Sequence, residues 1–205
     1  NETIYNYLNK INLSEKDWIK FDSRANELGI DLIVMCNDQY SFEFSKKLNV
    51  KNYVVSAASF LEVDLVEEIV KYNSNVILRT GGATIKEVDD LVGFILGINS
   101  LSKISLLAGI QLYPTPIEEL HLASLHTFSD RYNQHEITIG LADHIDGDHP
   151  FAIHLPVLAL AYGAQILEKH ITTNRQEKLE DYEAALSIEQ FTTFVDYVRA
   201  AEQAI

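Results

Sequence analysis

The chain has 205 residues, of which 47% are apolar and 22% are charged, and this composition excludes an intrinsically disordered protein. The net charge of -14 disfavours a nucleic-acid partner, because such binding depends on Lys and Arg side chains that neutralise phosphates. No apolar run approaches the ~18 residues of a transmembrane helix, so we expect no membrane span, and the single cysteine, Cys36, excludes an internal disulfide and suits a reducing, cytoplasmic location.

Short apolar runs at regular intervals predict β-strands along the whole chain. They lie at residues 32–35, 53–57, 75–80, 104–108, 137–141 and 165–168. Each run is nearly all apolar instead of alternating between apolar and polar residues. That pattern is typical of strands that are covered on both faces in a parallel sheet.

Between these runs, a recurring motif predicts where helices begin. A Ser or Thr stands three residues before an acidic residue or a Gln at five places: Ser14 and Asp17, Ser59 and Glu62, Thr84 and Glu87, Thr115 and Glu118, and Ser187 and Gln190. Most of these are capping boxes, in which the two side chains satisfy each other's backbone N–H groups, and the first pair is a weaker variant. Pro116 is expected at the first helical position after Thr115.

The helix bodies carry apolar residues at helical spacing. One such stripe consists of Trp18, Phe21, Ala25 and Leu28, and Gly29 follows it as an expected C-cap.

The order of these elements predicts the fold class. Strand and helix alternate six times, which is typical of parallel βα units joined by right-handed crossovers. An open doubly wound sheet and a (β/α)8 barrel both fit this order. No GxGxxG or GxxxxGK motif follows a strand, which weakens the doubly wound interpretation. We therefore predict an α/β fold of the (β/α)8 TIM-barrel type, with about six βα units in a single domain over residues 1–205.

Two of the predicted strands run into histidines. Asp143 and His144 follow the fifth apolar run, and Lys169 and His170 follow the sixth. Ligand sites in parallel sheets lie beyond the carboxyl ends of the strands, and neutral imidazole is the commonest protein metal ligand. The residues thus predict a metal site formed by His144 and His170, and the alternative is that both strands simply end in solvated polar residues.

Two further segments have a functional and a structural interpretation. Arg79 and the turn Gly81-Gly82 can hold a phosphate or a carboxylate at a helix N-terminus, or the glycines can serve a tight turn. Tyr113, in the sequence Tyr-Pro-Thr-Pro, provides either a hydroxyl for the ligand or part of a rigid strand exit. A Schiff-base lysine of an aldolase is not found in the apolar runs, and Lys169, which is nearest, is expected in a βα loop.

Four segments together resemble the N-acetylneuraminate (sialic acid) synthase family. They read LRTGGATIKEVDDLV at residues 78–92, LYPTPIEELHL at 112–122, IGLADH at 139–144 and GAQILEKHIT at 163–172. The family includes legionaminate, pseudaminate and spore-coat polysaccharide synthases, and the segment DYEAALSIEQF at 181–191 is most similar to the spore-coat subgroup. The resemblance extends from about residue 31 to the C-terminus.

The resemblance implies an activity and a set of site residues. Members of this family condense phosphoenolpyruvate with an N-acylated hexose in a barrel that uses Mn2+ or Mg2+, as a step of surface polysaccharide biosynthesis. By resemblance, His144 and His170 bind the metal and Asp181 is the catalytic carboxylate. Tyr113 and Gln111 are expected by resemblance to bind substrate, and Arg79 and Thr80 are expected to do so from their place at the end of the third strand. The expected partners are these two substrates and a second copy of the chain in a homodimer.

The chain departs from the family pattern where phosphoenolpyruvate is expected to bind. Val54 stands at the position of a family lysine, and four hydroxyl positions and one acidic position are occupied by Met35, Ala57, Arg79, Ala142 and Ser59. Relative to the family, the chain is expected to lack the first βα units and the C-terminal antifreeze-like domain. The alternative prediction is therefore a non-catalytic or regulatory barrel that binds sugar or metal, with a decayed phosphoenolpyruvate pocket.

Overall fold

A curled parallel sheet forms the centre of the molecule. The computed structural model describes residues 3–72, 75–132 and 134–205. Within these residues, six strands pair in chain order, each parallel to the next. They are β1 Ile33–Met35, β2 Asn52–Val55, β3 Asn75–Arg79, β4 Ile104–Ala108, β5 Thr138–Asp143 and β6 Ile166–Lys169. All six predicted strands are confirmed, with shifted ends: β2 stops at Val55 instead of Ala57, β5 continues to Asp143 instead of Leu141, and β6 continues to Lys169 instead of Glu168.

Helices connect the strands and cover the outside of the sheet. The described α-helices are α1 Ile4–Ile11, α2 Glu15–Glu27, α3 Gln39–Ser45, α4 Val63–Lys71, α5 Ile85–Ile98, α6 Ser124–Tyr132, α7 Leu155–Ala161 and α8 Ile188–Ala204. Short 3-10 turns lie at Ala57–Ser59, Ile117–Glu119 and Arg175–Glu177. Within the described ranges, no helix combines the length and the apolar composition that crossing a bilayer requires.

Three of the five predicted helix starts are confirmed. Thr84 and Ser187 form complete capping boxes at the N-termini of α5 and α8, with both side chains bonded to backbone N–H groups. Ser14 caps α2 by accepting a hydrogen bond from the backbone N–H of Asp17. The caps of Thr84 and Ser187 fix where α5 and α8, the two longest described helices, begin. The cap of α5 also fixes how the chain leaves the end of β3.

The other two predicted helix starts are wrong. Ser59 lies in the 3-10 turn Ala57–Ser59, and α4 begins after Glu62 without a side-chain cap. Thr115 is buried, and its hydroxyl donates to the carbonyl of Leu112 (2.9 Å) instead of accepting from a helix N–H. At Ser59 the backbone is part of a 3-10 turn, and at Thr115 the hydroxyl is engaged by a local carbonyl, so neither residue is available to cap a helix.

The sheet has an inner and an outer face, and both are apolar. Side chains of Val54, Ile77, Leu107 and Ala142 form a separate cluster on the inner face, which is the lumen of the barrel. Gly140 lies at the base of this lumen, where a Cβ atom would stand 2.5 Å from Leu107 and 2.6 Å from the carbonyl of Ile166. The larger core lies between the outer face and the helices.

The residues of the predicted stripe lie on helix α2, but most of them are not buried against the core. Trp18 contacts the core, whereas Phe21 and Leu28 are 53% and 55% exposed. Gly29 follows the helix with a φ of +69°, in agreement with the expected C-cap. The neighbouring strand β1 also exposes Ile33 and Met35, so this end of the described sheet is open.

Candidate functional site

The register of β5 and β6 points both histidines into the lumen. Ala142 pairs with Glu168, and both residues face inward because partners in a parallel ladder share a face. Side chains alternate along a strand, so the residues two positions further on return to the same side. Those residues are His144 and His170, and the strand pairing therefore explains why they meet at the mouth of the barrel.

The two imidazole rings lie side by side, and His144 is firmly held. Their centroids are 5.2 Å apart, and His144 is almost completely buried. Its Nδ1 lies 2.9 Å from the carbonyl oxygen of Ile110. Since a carbonyl only accepts, Nδ1 carries the hydrogen, and Nε2 keeps its lone pair. The backbone N–H of Thr115 donates to the His144 carbonyl (2.8 Å), which fixes the main chain as well.

His170 has a looser partner. Its Nδ1 lies 3.8 Å from Oδ2 of Asp181, which is too long for a hydrogen bond. Asp181 thus lies on the Nδ1 side of the His170 ring and not on the Nε2 side. The Nε2 atoms of His144 and His170 are both buried, and no described residue offers either of them a hydrogen bond.

Burial sets the protonation of this pair. It lowers the pKa of His144 below its usual value, and it lowers the pKa of His170, where the neighbouring His144 adds to the effect. Both rings are therefore neutral at pH 7, which is the form that binds metals.

Tyr113 joins the histidines to the cavity. Its ring lies 4.3 Å from that of His144 and 5.6 Å from that of His170, measured between centroids. Burial raises the pKa of its hydroxyl, which stays protonated and donates to Oε1 of Gln111 (3.2 Å). The hydroxyl thus faces the cavity while the ring packs against both imidazoles.

Four of the predicted substrate-binding or catalytic residues line one cavity of about 550 Å³ at the mouth of the barrel. They are Arg79, Gln111, Tyr113 and Asp181. Thr80 lies elsewhere: its buried hydroxyl donates to the carbonyl of Leu107 (3.1 Å). The cavity is thus built from the ends of β1 and β3 and from the segments that follow β2, β3, β4 and β6.

An ion pair that sequence reasoning missed crosses the lumen. Nη2 of Arg79 lies 2.6 Å from Oε1 of Glu168, and Nε of Arg79 donates to Oε2 (3.1 Å). The two residues belong to β3 and β6, which are not neighbours in the sheet. Glu168 stands two residues before His170, and this period-2 spacing was the signal that could have placed it in the lumen.

A second ion pair lies on the opposite face of the sheet and joins β5 to β6. Lys169 and Asp143 have side chains that are each 1% exposed, and the ammonium group donates to Asp143 Oδ2. Lys169 is the last residue of β6, so the prediction that it lies in a βα loop is wrong. Because it faces away from the lumen, it cannot form a Schiff base with a substrate there.

The donor atoms at the histidine pair fit a divalent metal with two protein ligands. The buried Nε2 atoms of two imidazoles whose ring centroids are 5.2 Å apart have no hydrogen-bond partner among the described residues, and the ring of His144 is fixed by its Nδ1–H bond. Within the described part of the chain, no group of three or more His, Cys, Asp or Glu side chains is placed to hold a metal ion. Further coordination positions would fall to water or substrate oxygens.

Comparisons with known proteins agree with this architecture. A family model described as "NeuB family" matches residues 1–205. The chain is 29% identical over 204 residues to the N,N'-diacetyllegionaminic acid synthase of Legionella pneumophila, covering 98% of this chain and 55% of that protein. The chain spans about half the length of the curated relatives that it matches.

Solved structures share the fold at lower identity. The spore coat polysaccharide biosynthesis protein spsE of Bacillus subtilis superposes with a TM-score of 0.86 at 19% identity, covering 98% of this chain and 55% of that one. An N-acetylneuraminic acid (sialic acid) synthetase from Leptospira borgpetersenii, solved with citrate, gives 0.84 at 23% identity, covering 94% and 64%. At these identities the likeness confirms the barrel-type α/β fold alone.

Proposed function

The chain belongs to the NeuB family, and from this premise we propose that it acts as a sialic acid synthase-like protein. In this proposal it condenses phosphoenolpyruvate with an N-acylated sugar to form a nonulosonic acid. The single observation that carries the proposal is the pair of buried Nε2 atoms of His144 and His170, which have no hydrogen-bond partner among the described residues. A free imidazole lone pair in a buried position is costly unless a ligand occupies it.

The two histidines would hold Mn2+ or Mg2+ through Nε2. When bound, the metal supplies a Lewis acid that polarises the aldehyde of the open-chain sugar. The Nδ1–H bond of His144 to Ile110 keeps its Nε2 directed to that position. Asp181, on the Nδ1 side of His170, favours the tautomer in which Nδ1 carries the proton.

Arg79, Gln111 and Tyr113 would bind the substrates. The guanidinium of Arg79 has five N–H donors, and its contacts with Glu168 involve Nε and Nη2. Nη1 can therefore donate to a carboxylate or phosphate in the cavity while Glu168 fixes the plane of the group. The hydroxyl of Tyr113 and the amide of Gln111 offer polar contacts to a sugar at the same wall.

The proposal is tested by phosphate release from phosphoenolpyruvate in the presence of N-acetylmannosamine or related sugars and Mn2+. The double variant His144→Ala, His170→Ala is expected to release phosphate only at the background rate. A matched double variant, His126→Ala with His154→Ala, removes two exposed histidines and is expected to keep the activity. Equal phosphate release from the two double variants would refute the role of the site histidines.

A second candidate function is a barrel that binds sugar or metal without using phosphoenolpyruvate. It is favoured by the charges in the lumen: Glu168 neutralises Arg79, Asp181 adds a negative charge, and the apolar Val54 and Ala57 supply none. A multiply charged anion gains little there. Titration calorimetry with Mn2+ present separates the two functions, because phosphoenolpyruvate binding at micromolar concentration would rule out the second.

A further inference from the structure

The buried pair Asp143–Lys169 lies where the two histidine-bearing strands end. Asp143 and Lys169 are register partners, and theirs is the final pair in the ladder of β5 and β6. Each side chain is 1% exposed, on the face of the sheet that packs against helices. The residue that directly follows each strand is a histidine that faces the lumen.

The contacts of this pair surround His144. The ammonium of Lys169 contacts the carboxylate of Asp143 and lies 3.4 Å from the carbonyl of Ile145. The other carboxylate oxygen of Asp143 accepts from the backbone N–H of Ile145 (3.3 Å). Thus the residue that precedes His170 is bonded to the residues on both sides of His144.

We propose that Asp143 and Lys169 are positioning residues that set the distance and direction between the imidazoles of His144 and His170. The proposal rests on metal binding by those two histidines. Its physical basis is register: a slip of β6 by one residue would turn His170 out of the lumen and Lys169 into it. That slip would also leave the carboxylate of Asp143 buried without its partner, which is strongly unfavourable.

Stability alone does not account for two charges at this position. A well-packed apolar pair of similar volume often stabilises a protein as well as a buried ion pair does, because no charge has to be desolvated. The ion pair instead favours a single arrangement of β5 relative to β6, because its directional bonds connect β6 to the backbone around His144. An apolar pair would tolerate small shifts that move the imidazoles apart.

The double variant Asp143→Asn, Lys169→Met tests the proposal, because it removes both charges and leaves neither unpaired. Its matched control is Asp89→Asn with Arg131→Met, the same kinds of substitution at an ion pair between α5 and α6. Two quantities are measured on folded protein. They are the nuclear Overhauser effect between the ring protons of His144 and His170 without metal, and the Kd for Mn2+.

In the variant at the site, the Overhauser contact between the rings is expected to disappear and the Kd to rise about 10–100-fold. The control is expected to keep the contact and the Kd of the unmodified chain. A second variant, Asp143→Asn with Lys169→Gln, keeps hydrogen-bond donors near Ile145 but no charges. It is expected to show a weaker ring contact and a higher Kd, both changes being smaller than in the first variant. It replaces the first variant in the test if that one does not fold.

A folded site variant with an unchanged ring contact and an unchanged Kd would overturn the proposal. Failure of the metal assignment is distinguishable from this outcome. It would appear as an unmodified chain that shows the ring contact but binds no Mn2+, and loss of that contact in the site variant would still support positioning by the pair.

Discussion

The two site imidazoles are held with different firmness. His144 is fixed by a hydrogen bond from its ring to Ile110 and by a backbone bond from Thr115. His170 has a carboxylate 3.8 Å away and a backbone carbonyl that accepts from Leu186. Reorientation of the His170 ring is therefore the easier route by which the pair would lose its convergence.

The lowered pKa values of both histidines predict how Mn2+ binding depends on pH. Burial disfavours the imidazolium, so protons compete with the metal only below the usual pKa of 6.5. We expect a constant Mn2+ affinity from about pH 8 down to about pH 6.5 and a steep fall below that, measured by electron paramagnetic resonance. An affinity that already falls between about pH 8 and pH 7 would contradict the buried, neutral pair.

The same shifts affect the stability of the metal-free chain. An unfolded histidine takes up its proton near pH 6.5, and these folded ones do so at lower pH, so the unfolded state binds more protons in that window. Their contribution to stability is thus complete above pH 6.5 and is lost as the pH falls from there to the folded pKa values.

Position along a strand was enough to predict that His144 and His170 lie close together, while their role as metal ligands stays a prediction. His144 and His170 could be found because polar residues at the ends of apolar strands stand out in the sequence. Glu168 was missed because its partner Arg79 lies two strands beyond its sheet neighbour, and such a contact depends on the curl of the sheet. The roles of Asp181, Gln111, Tyr113, Arg79 and Thr80 in substrate handling stay predictions.

Identical cap motifs had different outcomes at two neighbouring helices. Thr84 and Glu87 form a reciprocal capping box at α5, whereas Ser59, with Glu62 at the same spacing, lies in a 3-10 turn. The motif predicts a helix start only if the chain reaches it in an extended conformation. Thr84 has this conformation, with a ψ of 157°.

This difference predicts contrasting effects of two similar substitutions. Thr84→Ala is expected to lower the free energy of unfolding by about 1 kcal/mol, since it removes the cap of α5. Ser59→Ala removes one long hydroxyl contact with Ser56 (3.4 Å) and is expected to be close to neutral. Urea denaturation of the two variants measures the difference, and equal losses of stability would show that the caps do not distinguish these helices.

At the scale of the whole molecule, alternation of apolar runs and helix signals was enough to predict a parallel barrel-type sheet. It was not enough to predict what covers each helix, because periodicity identifies an apolar face but not its partner. The stripe on α2 illustrates this, since Phe21 and Leu28 are half exposed although their spacing is that of a buried face. Trp18 of the same helix lines a cavity together with Ile33 and Met35 of the open edge.

This apolar end predicts self-association of the 205-residue chain. Phe21→Lys with Leu28→Lys is expected to lower the association constant about tenfold or more, because each apolar side chain contributes when it is buried between molecules. Leu101→Lys with Leu179→Lys, also at exposed positions, is the matched control and is expected to have little effect. Sedimentation velocity over a range of concentrations gives both constants, and equal constants would exclude α2 from the contact.

The ion pair of Arg79 and Glu168 across the lumen limits which substitutions the chain can accept during evolution. Substituting either residue alone would leave the charge of the other in a space where the two side chains are only 18% and 25% exposed, which is unfavourable. An arginine at position 79 is therefore compatible with this lumen only beside an acidic residue at position 168. Among homologous chains, an arginine at the first position should therefore co-vary with a carboxylate at the second.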